Sequence, residues 1–151
     1  VVAALHDDHG NTGELARKCG VTACFENVWN RFLMSPLEFD RFLGQVRSPS
    51  AAMYFDVGNV WNLGYPQHWI KILRRRIKAV HVKDFRRAVG NASGFCQLLD
   101  GDVPLAESLR LLKKQGYKGP VTAEVFPDPS SNTDEPAFLR TTAERLRSIM
   151  P

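Results

Sequence analysis

AAMYFD, residues 51–56, is an apolar run that stops on an aspartate. Three other short runs behave alike: VTACFE at 21–26, IKAVH at 77–81 and PVTAE at 120–124. Such runs, continuous rather than alternating, read as strands covered on both faces. They end on Glu26, Asp56, His81 and Glu124, whose spacings of 30, 25 and 43 residues each hold a helix and its loops. Parallel strands need helical crossovers of that kind. Four parallel strands present all their carboxyl ends on one side of the sheet. The pattern therefore predicts an α/β fold with Glu26, Asp56, His81 and Glu124 meeting at one rim, where (β/α) barrels and open α/β sheets carry their chemistry.

The intervening segments support this order. Residues 11–18 read as the end of a helix stopping at Cys19–Gly20, with the glycine at C′. Ser35, Pro36 and Glu38 form a capping box with proline at N1, so a helix is expected from there to about Val46. Residues 48–50 (SPS) break it. Residues 57–65 read as a Gly/Asn-rich loop, and a helix is expected from Pro66 to about Arg76. Residues 83–103 read as a long loop with Gly90, Gly94 and Gly101, and loops of that length inside a compact domain are usually functional. Pro104 opens a helix with Leu105, Leu109 and Leu112 on one face, ended by Gly116. A last helix is expected over 136–150 with Phe138, Leu139, Ala143, Leu146 and Ile149 as its apolar stripe. No linker or low-complexity stretch divides the chain, which reads as a single α/β domain over 1–151: residues 1–19 end a preceding helix and 20–151 make four βα units.

Composition is that of an ordinary globular domain, with 44% hydrophobic and 24% charged residues among 151. No apolar stretch approaches the ~20 residues of a membrane span, and the first residues lack the basic region of a signal peptide. The net charge of +4 is not gathered into a stripe. Its one dense run, Arg74–Arg75–Arg76 with Lys71 and Lys78 nearby, falls at an expected helix end, where cations suit the macrodipole. A nucleic-acid partner is therefore not expected. The three cysteines, Cys19, Cys24 and Cys96, are odd in number and contain no CxxC, which argues against a disulfide framework or a structural zinc site and for a reducing cytoplasm.

Three carboxylates and an imidazole suit a hard divalent cation: Mn²⁺, Mg²⁺ or Co²⁺ at least as well as Zn²⁺. Such an ion can take a sugar's carbonyl and neighbouring hydroxyl, polarise the carbonyl and acidify the adjacent C–H. Glu26 and Glu124 would then serve as base and acid. Taken singly, each residue has a plainer explanation. A glutamate at a strand end is usually an ion-pair partner, a histidine is usually hydrogen-bonded in a core, and Asp56 would cap the next turn. Four at four strand ends would be costly without a cation. The aromatic residues Trp29, Phe32, Trp61 and Phe85 adjoin these positions and are candidates for a pocket wall, Trp29 foremost. Lys83 reads as structural. His6, Asp7, Asp8 and His9 form a second cluster of metal-capable residues, which reads as solvated, and His68 as solvent-facing.

Several segments together resemble a known family: ENVWNRF at 26–32, FDVGNV at 55–60, VHVKDF at 80–85, GDV at 101–103 and TAEV at 122–125. From about Gly20 to the end, the chain is similar to the sugar-phosphate isomerase/epimerase superfamily, the xylose-isomerase-like TIM barrels. These include ketose 3-epimerases, ribulose and xylulose 5-phosphate 3-epimerases and inosose dehydratases. The resemblance implies a divalent metal on Glu26, Asp56, His81 and Glu124, and an acid/base pair of Glu26 and Glu124 acting through an enediolate. It implies that Arg87 contacts substrate oxygens and that Asp84 supports the site. Asn59 stands where ketose 3-epimerases acting on free sugars carry a substrate-binding histidine, and Leu33 where they tend to carry glutamate. The D-x-G-N arrangement looks more like the sugar-phosphate epimerases.

The family barrel has eight strands, and a TIM barrel typically needs ~250 residues. The chain therefore reads as the last four βα units, either part of a longer protein or one half of a homodimer that covers the open strand edges. The expected function is a sugar or sugar-phosphate isomerase or epimerase. The alternatives are a polyol dehydratase of the inosose dehydratase type on the same cage, or an inactive metal-binding half-barrel. An apurinic-site endonuclease shares the barrel but needs a multi-zinc cluster with more histidines than the four present here.

Overall fold

The computed structural model of the protein describes residues 11–127 and 134–151. The HDDH cluster at 6–9 lies outside them.

Residues 11–18 are helical (α1), and Gly20, at φ 68°, turns the chain out of that helix. The first strand, β1 (Ala23–Glu26), starts two residues later than the apolar run, because the Val21 amide still donates to Ala16 O of the helix end. Helix α2 (Pro36–Val46) opens on the expected capping box, Ser35 and Glu38 each accepting from the other's backbone amide. It buries Phe39, Phe42, Leu43 and Val46. Strand β2 (Ala51–Asp56) has the limits read from sequence.

Residues 57–65 depart from the expected loop. Val57–Trp61 form a short helix, α3, because the Asp56 side chain caps it by accepting from the Asn59 amide at 2.8 Å. Helix α4 (Pro66–Leu73) then ends three residues earlier than expected, in a 3₁₀ turn over Arg74–Arg76. All three arginines are exposed. Arg76 Nη1 donates to Asp40 O at 2.7 Å and its Nε pairs with Asp40 Oδ1 at 3.3 Å, tying the turn to α2.

Strand β3 (Ile77–Val82) is as expected. The 83–103 segment is ordered by a small antiparallel hairpin, β4 (Asp84–Phe85) with β5 (Phe95–Cys96), and two 3₁₀ turns. Helix α5 (Leu105–Lys114), strand β6 (Val121–Ala123) and helix α6 (Glu135–Ile149) complete the chain. Glu124 lies one residue past β6, yet its amide continues the ladder to Val82 O at 2.9 Å.

The sheet order is β1-β2-β3-β6, every pair parallel. Strands added one after another in the same direction by right-handed crossovers place all helices on one face. Accordingly α2 packs on α4, α4 on α5 and α5 on α6. Between helices and sheet lies the core, including Phe39, Met53, Phe55, Ile70, Leu73, Val80, Val82 and Leu105, all at most 2% exposed. Burying each contributes ~1.5–3 kcal/mol. This singly wound wall is a barrel segment of the TIM type, four βα units long. Its concave face alternates with the core positions and carries Tyr54, Asp56, His81 and Glu124. Among the described residues, no helix is long and apolar enough to cross a membrane.

Candidate metal centre

Strand register assembles the site in steps. Glu26 pairs with Tyr54, Asp56 with His81, and His81 with Thr122, which puts Glu124 level with Lys83. Paired residues in a parallel sheet face the same way, so the donors climb the concave face from β1 to β6. Glu26, Asp56, His81 and Glu124 offer donor atoms that all lie within 4.8 Å of one another. His81 Nδ1 is 3.0 Å from Glu26 Oε1, 3.7 Å from Glu124 Oε2 and 4.0 Å from Asp56 Oδ2. The Tyr54 ring lies against the imidazole, centroids 3.9 Å apart.

Asp56 is fully buried. Its Oδ1 is held by the Asn59 amide, while Oδ2 faces the cluster. Asn27, which follows Glu26, takes the Asp56 backbone on both sides: Oδ1 accepts from Asp56 N at 2.8 Å and Nδ2 donates to Asp56 O at 2.9 Å. Burial pushes the Asp56 carboxyl up to about 7, against the opposing pull of the Lys83 ammonium and the Asn59 amide. Burial also acts on Glu124, but there the Lys83 ammonium outweighs it and holds the carboxyl below its ordinary range.

Lys83, read from sequence as structural, reaches the centre. Two residues beyond His81 in extended chain, it emerges on the same face, its Nζ 3.1 Å from Asp56 Oδ2 and 2.5 Å from Glu124 Oε2. The sequence carried that signal in its i, i+2 spacing. Among the described residues, the Lys83 ammonium is the one cation that meets these two buried oxygens, and neither has a further hydrogen-bond partner. Three clustered carboxylates against a single ammonium keep an excess of negative charge, which is costly to bury unless a further cation offsets it. Oxygen donors with one imidazole are the set a hard divalent ion takes, so the residues present fit such an ion.

Asn59, Asp84, Trp29 and Arg87, the four residues read as substrate contacts, take the following places. Asn59 is buried, its side-chain Nδ2 donating to Asn27 O at 2.9 Å, so it braces the β1 and β2 ends rather than opening into the centre. Asp84 is 2% exposed, and its two oxygens accept from the amides of Phe85, Leu99, Gly101 and Val103, ordering the 83–103 segment. Trp29 donates to Asn59 O at 2.8 Å and packs its ring on Phe85 and Phe95. The Arg87 guanidinium lies over the Trp61 and Tyr65 rings, at 4.8 and 5.3 Å from their centroids. Asp102 accepts from both Trp61 Nε1 and the Arg87 amide, which joins that stack to α3. Phe85 is core, and Phe32 leans on Phe42.

The sequence pattern of the xylose isomerase-like TIM barrel family matches residues 7–149. The chain belongs to that family. Among curated relatives of this xylose isomerase-like chain, the inosose dehydratase of Serratia proteamaculans is 25% identical over 142 residues, covering 82% of the chain and 47% of the relative. That of Klebsiella pneumoniae is 27% identical with the same coverage. The chain thus spans about half the length of the curated relatives it matches. Solved structures share the fold. A xylose isomerase domain protein from Alicyclobacillus acidocaldarius superposes with a TM-score of 0.80 at 22% identity, over 93% of this chain and 55% of the other. A D-allulose 3-epimerase from Methylomonas sp. gives 0.79 at 21% identity, over 99% and 56%.

Proposed function

We propose that the chain carries the metal-holding and proton-transferring part of an enzyme that removes a proton next to the carbonyl of a sugar, a sugar phosphate or a related polyol ketone. The observation that carries this reading is the cluster of four donor atoms within 4.8 Å, three of them carboxylate oxygens offset by a single ammonium. Glu26, Asp56, His81 and Glu124 would hold one divalent cation: Mn²⁺, Mg²⁺, Co²⁺ or Zn²⁺. When bound, that ion would polarise a substrate carbonyl and acidify the neighbouring C–H.

Glu26 and Glu124 come from opposite edges of the sheet and are proposed as the base and acid that exchange this proton through an enediolate. Asp56, anchored by Asn27 and Asn59, is proposed as the fixed ligand. Arg87 and Trp29 are proposed to border the substrate, with Asn59 and Asp84 acting through the positions of their neighbours. Return of the proton to either carbon gives isomerase or epimerase chemistry. Loss of a hydroxyl from the same enediolate gives dehydration, and the two inosose dehydratase relatives favour keeping that second reading. A complete pocket would need a second wall over the concave face, from a second copy or from further chain of a longer protein.

The test is calorimetric titration of the metal-free chain with Mn²⁺, followed by NMR detection of deuterium uptake from D₂O into ketoses, ketose phosphates and inosose. One ion per chain and uptake at the carbon beside the carbonyl are expected. Failure to bind any divalent ion would overturn the reading. Binding without uptake would reduce the chain to a metal-binding half-barrel.

A further inference from the structure

Lys83 is built into the centre rather than draped over it. Its side chain is 13% exposed, and its ammonium meets Asp56 Oδ2 and Glu124 Oε2 together. The aliphatic stem lies against Gly58, where a Cβ would come within 2.5 Å of Lys83 Cγ and of the Lys83 carbonyl oxygen. The Phe95 ring covers the ammonium at 5.0 Å. A glycine beneath, an aromatic ring above and two carboxylates ahead leave this side chain little other course.

The charge count gives the arrangement a purpose. Three carboxylates and a neutral imidazole would present three negative charges to an incoming ion. With the Lys83 ammonium the set carries two, the counterpart of a divalent cation. Beside the fully buried Asp56, one unit of unmatched charge weighs more than in water. A trivalent ion would leave the centre net positive, while a divalent ion leaves it neutral.

Resting on the metal reading above, we infer that Lys83 is a positioning residue that sets the valence preference of the centre. Its ammonium holds Asp56 and Glu124 in place and cancels one carboxylate charge, favouring divalent over trivalent ions. A side chain that only filled space would affect both ions alike; a charge-setting side chain changes their ratio.

The experiment compares Mn²⁺ affinity by calorimetry with Tb³⁺ affinity by luminescence sensitised through Tyr54 and Trp29, on the whole chain at constant pH. In Lys83→Met the ratio of Tb³⁺ to Mn²⁺ affinity should rise at least tenfold, and Lys83→Arg should return it to the wild-type value. Lys83→Gln serves as the polar replacement should the Met variant not fold, with the same expected rise. Gly58→Ala, which wedges the stem aside while keeping the charge on the chain, should shift the ratio in the same direction by less. An unchanged ratio in the folded Met or Gln variant, with Mn²⁺ still bound, overturns the inference and leaves the metal reading standing. A wild-type chain that binds neither ion overturns the metal reading itself.

Discussion

Asp56 holds its proton far above the ordinary aspartate value of 3.8, to about 7, because burial disfavours its charge. The sign of the consequence follows from proton counts. Between those two values the folded chain keeps a proton that the unfolded chain has lost, so this residue makes the metal-free protein less stable as pH rises from about 4 to about 7. On the proposed role of Asp56 as a ligand, a bound divalent ion would take the proton's place. Thermal melts should therefore show the Mn²⁺-induced rise in Tm growing from about pH 5 to about pH 7.5; a gain independent of pH would contradict the assignment of Asp56 as a ligand. Asp56→Ala should weaken Mn²⁺ binding by tenfold or more in the same titration. Glu124→Gln should leave the circular dichroism spectrum intact and abolish deuterium uptake, since the amide neither accepts nor returns a proton. Glu26, Asp56, His81 and Glu124 were legible as a group because each ends an apolar run. Lys83 could have been found from its i, i+2 spacing to His81, which puts both on one face in extended chain, but it was read as structural. Asn27 was not legible, since an asparagine before a loop is what any surface turn contains.

Among the elements, β2 and β3 matched their expected limits because both are central and buried on two faces, so the apolar run and the ladder coincide. Strand β6, at the sheet edge, is shorter than its run, and α3 was hidden because its capping residue is also the last residue of β2. The 83–103 segment is the clearest case of order that sequence alone conceals. One buried carboxylate, Asp84, accepts four backbone amides from both ends of the segment. Gly101 is required beside it, since a Cβ there would collide with that carboxylate. Asp84→Ala would orphan those amides and should cost about 3 kcal/mol or more in urea unfolding, loosening the Arg87 turn as well. Ser35→Ala, which removes one half of the α2 capping box, should cost only about 1 kcal/mol.

The described residues form a wall with a covered back and an open front. Among them, strands β1 and β6 each have a single neighbour. Beside β6, Phe126 is 78% exposed, and on α6 Leu139, one of that helix's apolar positions, is 58% exposed. A further βα unit would cover both. Sedimentation of the isolated chain should accordingly show concentration-dependent dimers; a monomer at all concentrations would speak against pairing of two copies. The strand order carries one more implication, for the way the chain is made. Because each strand docks beside the one synthesised before it, the sheet can grow during translation by short-range steps, an arrangement that favours rapid folding. Three of the four proposed donors are in place once β3 has docked, but Glu124 follows only with β6, the last strand among the described residues. All four would then meet an ion only after β6 has paired with β3, so full metal uptake would follow assembly of this sheet rather than precede it.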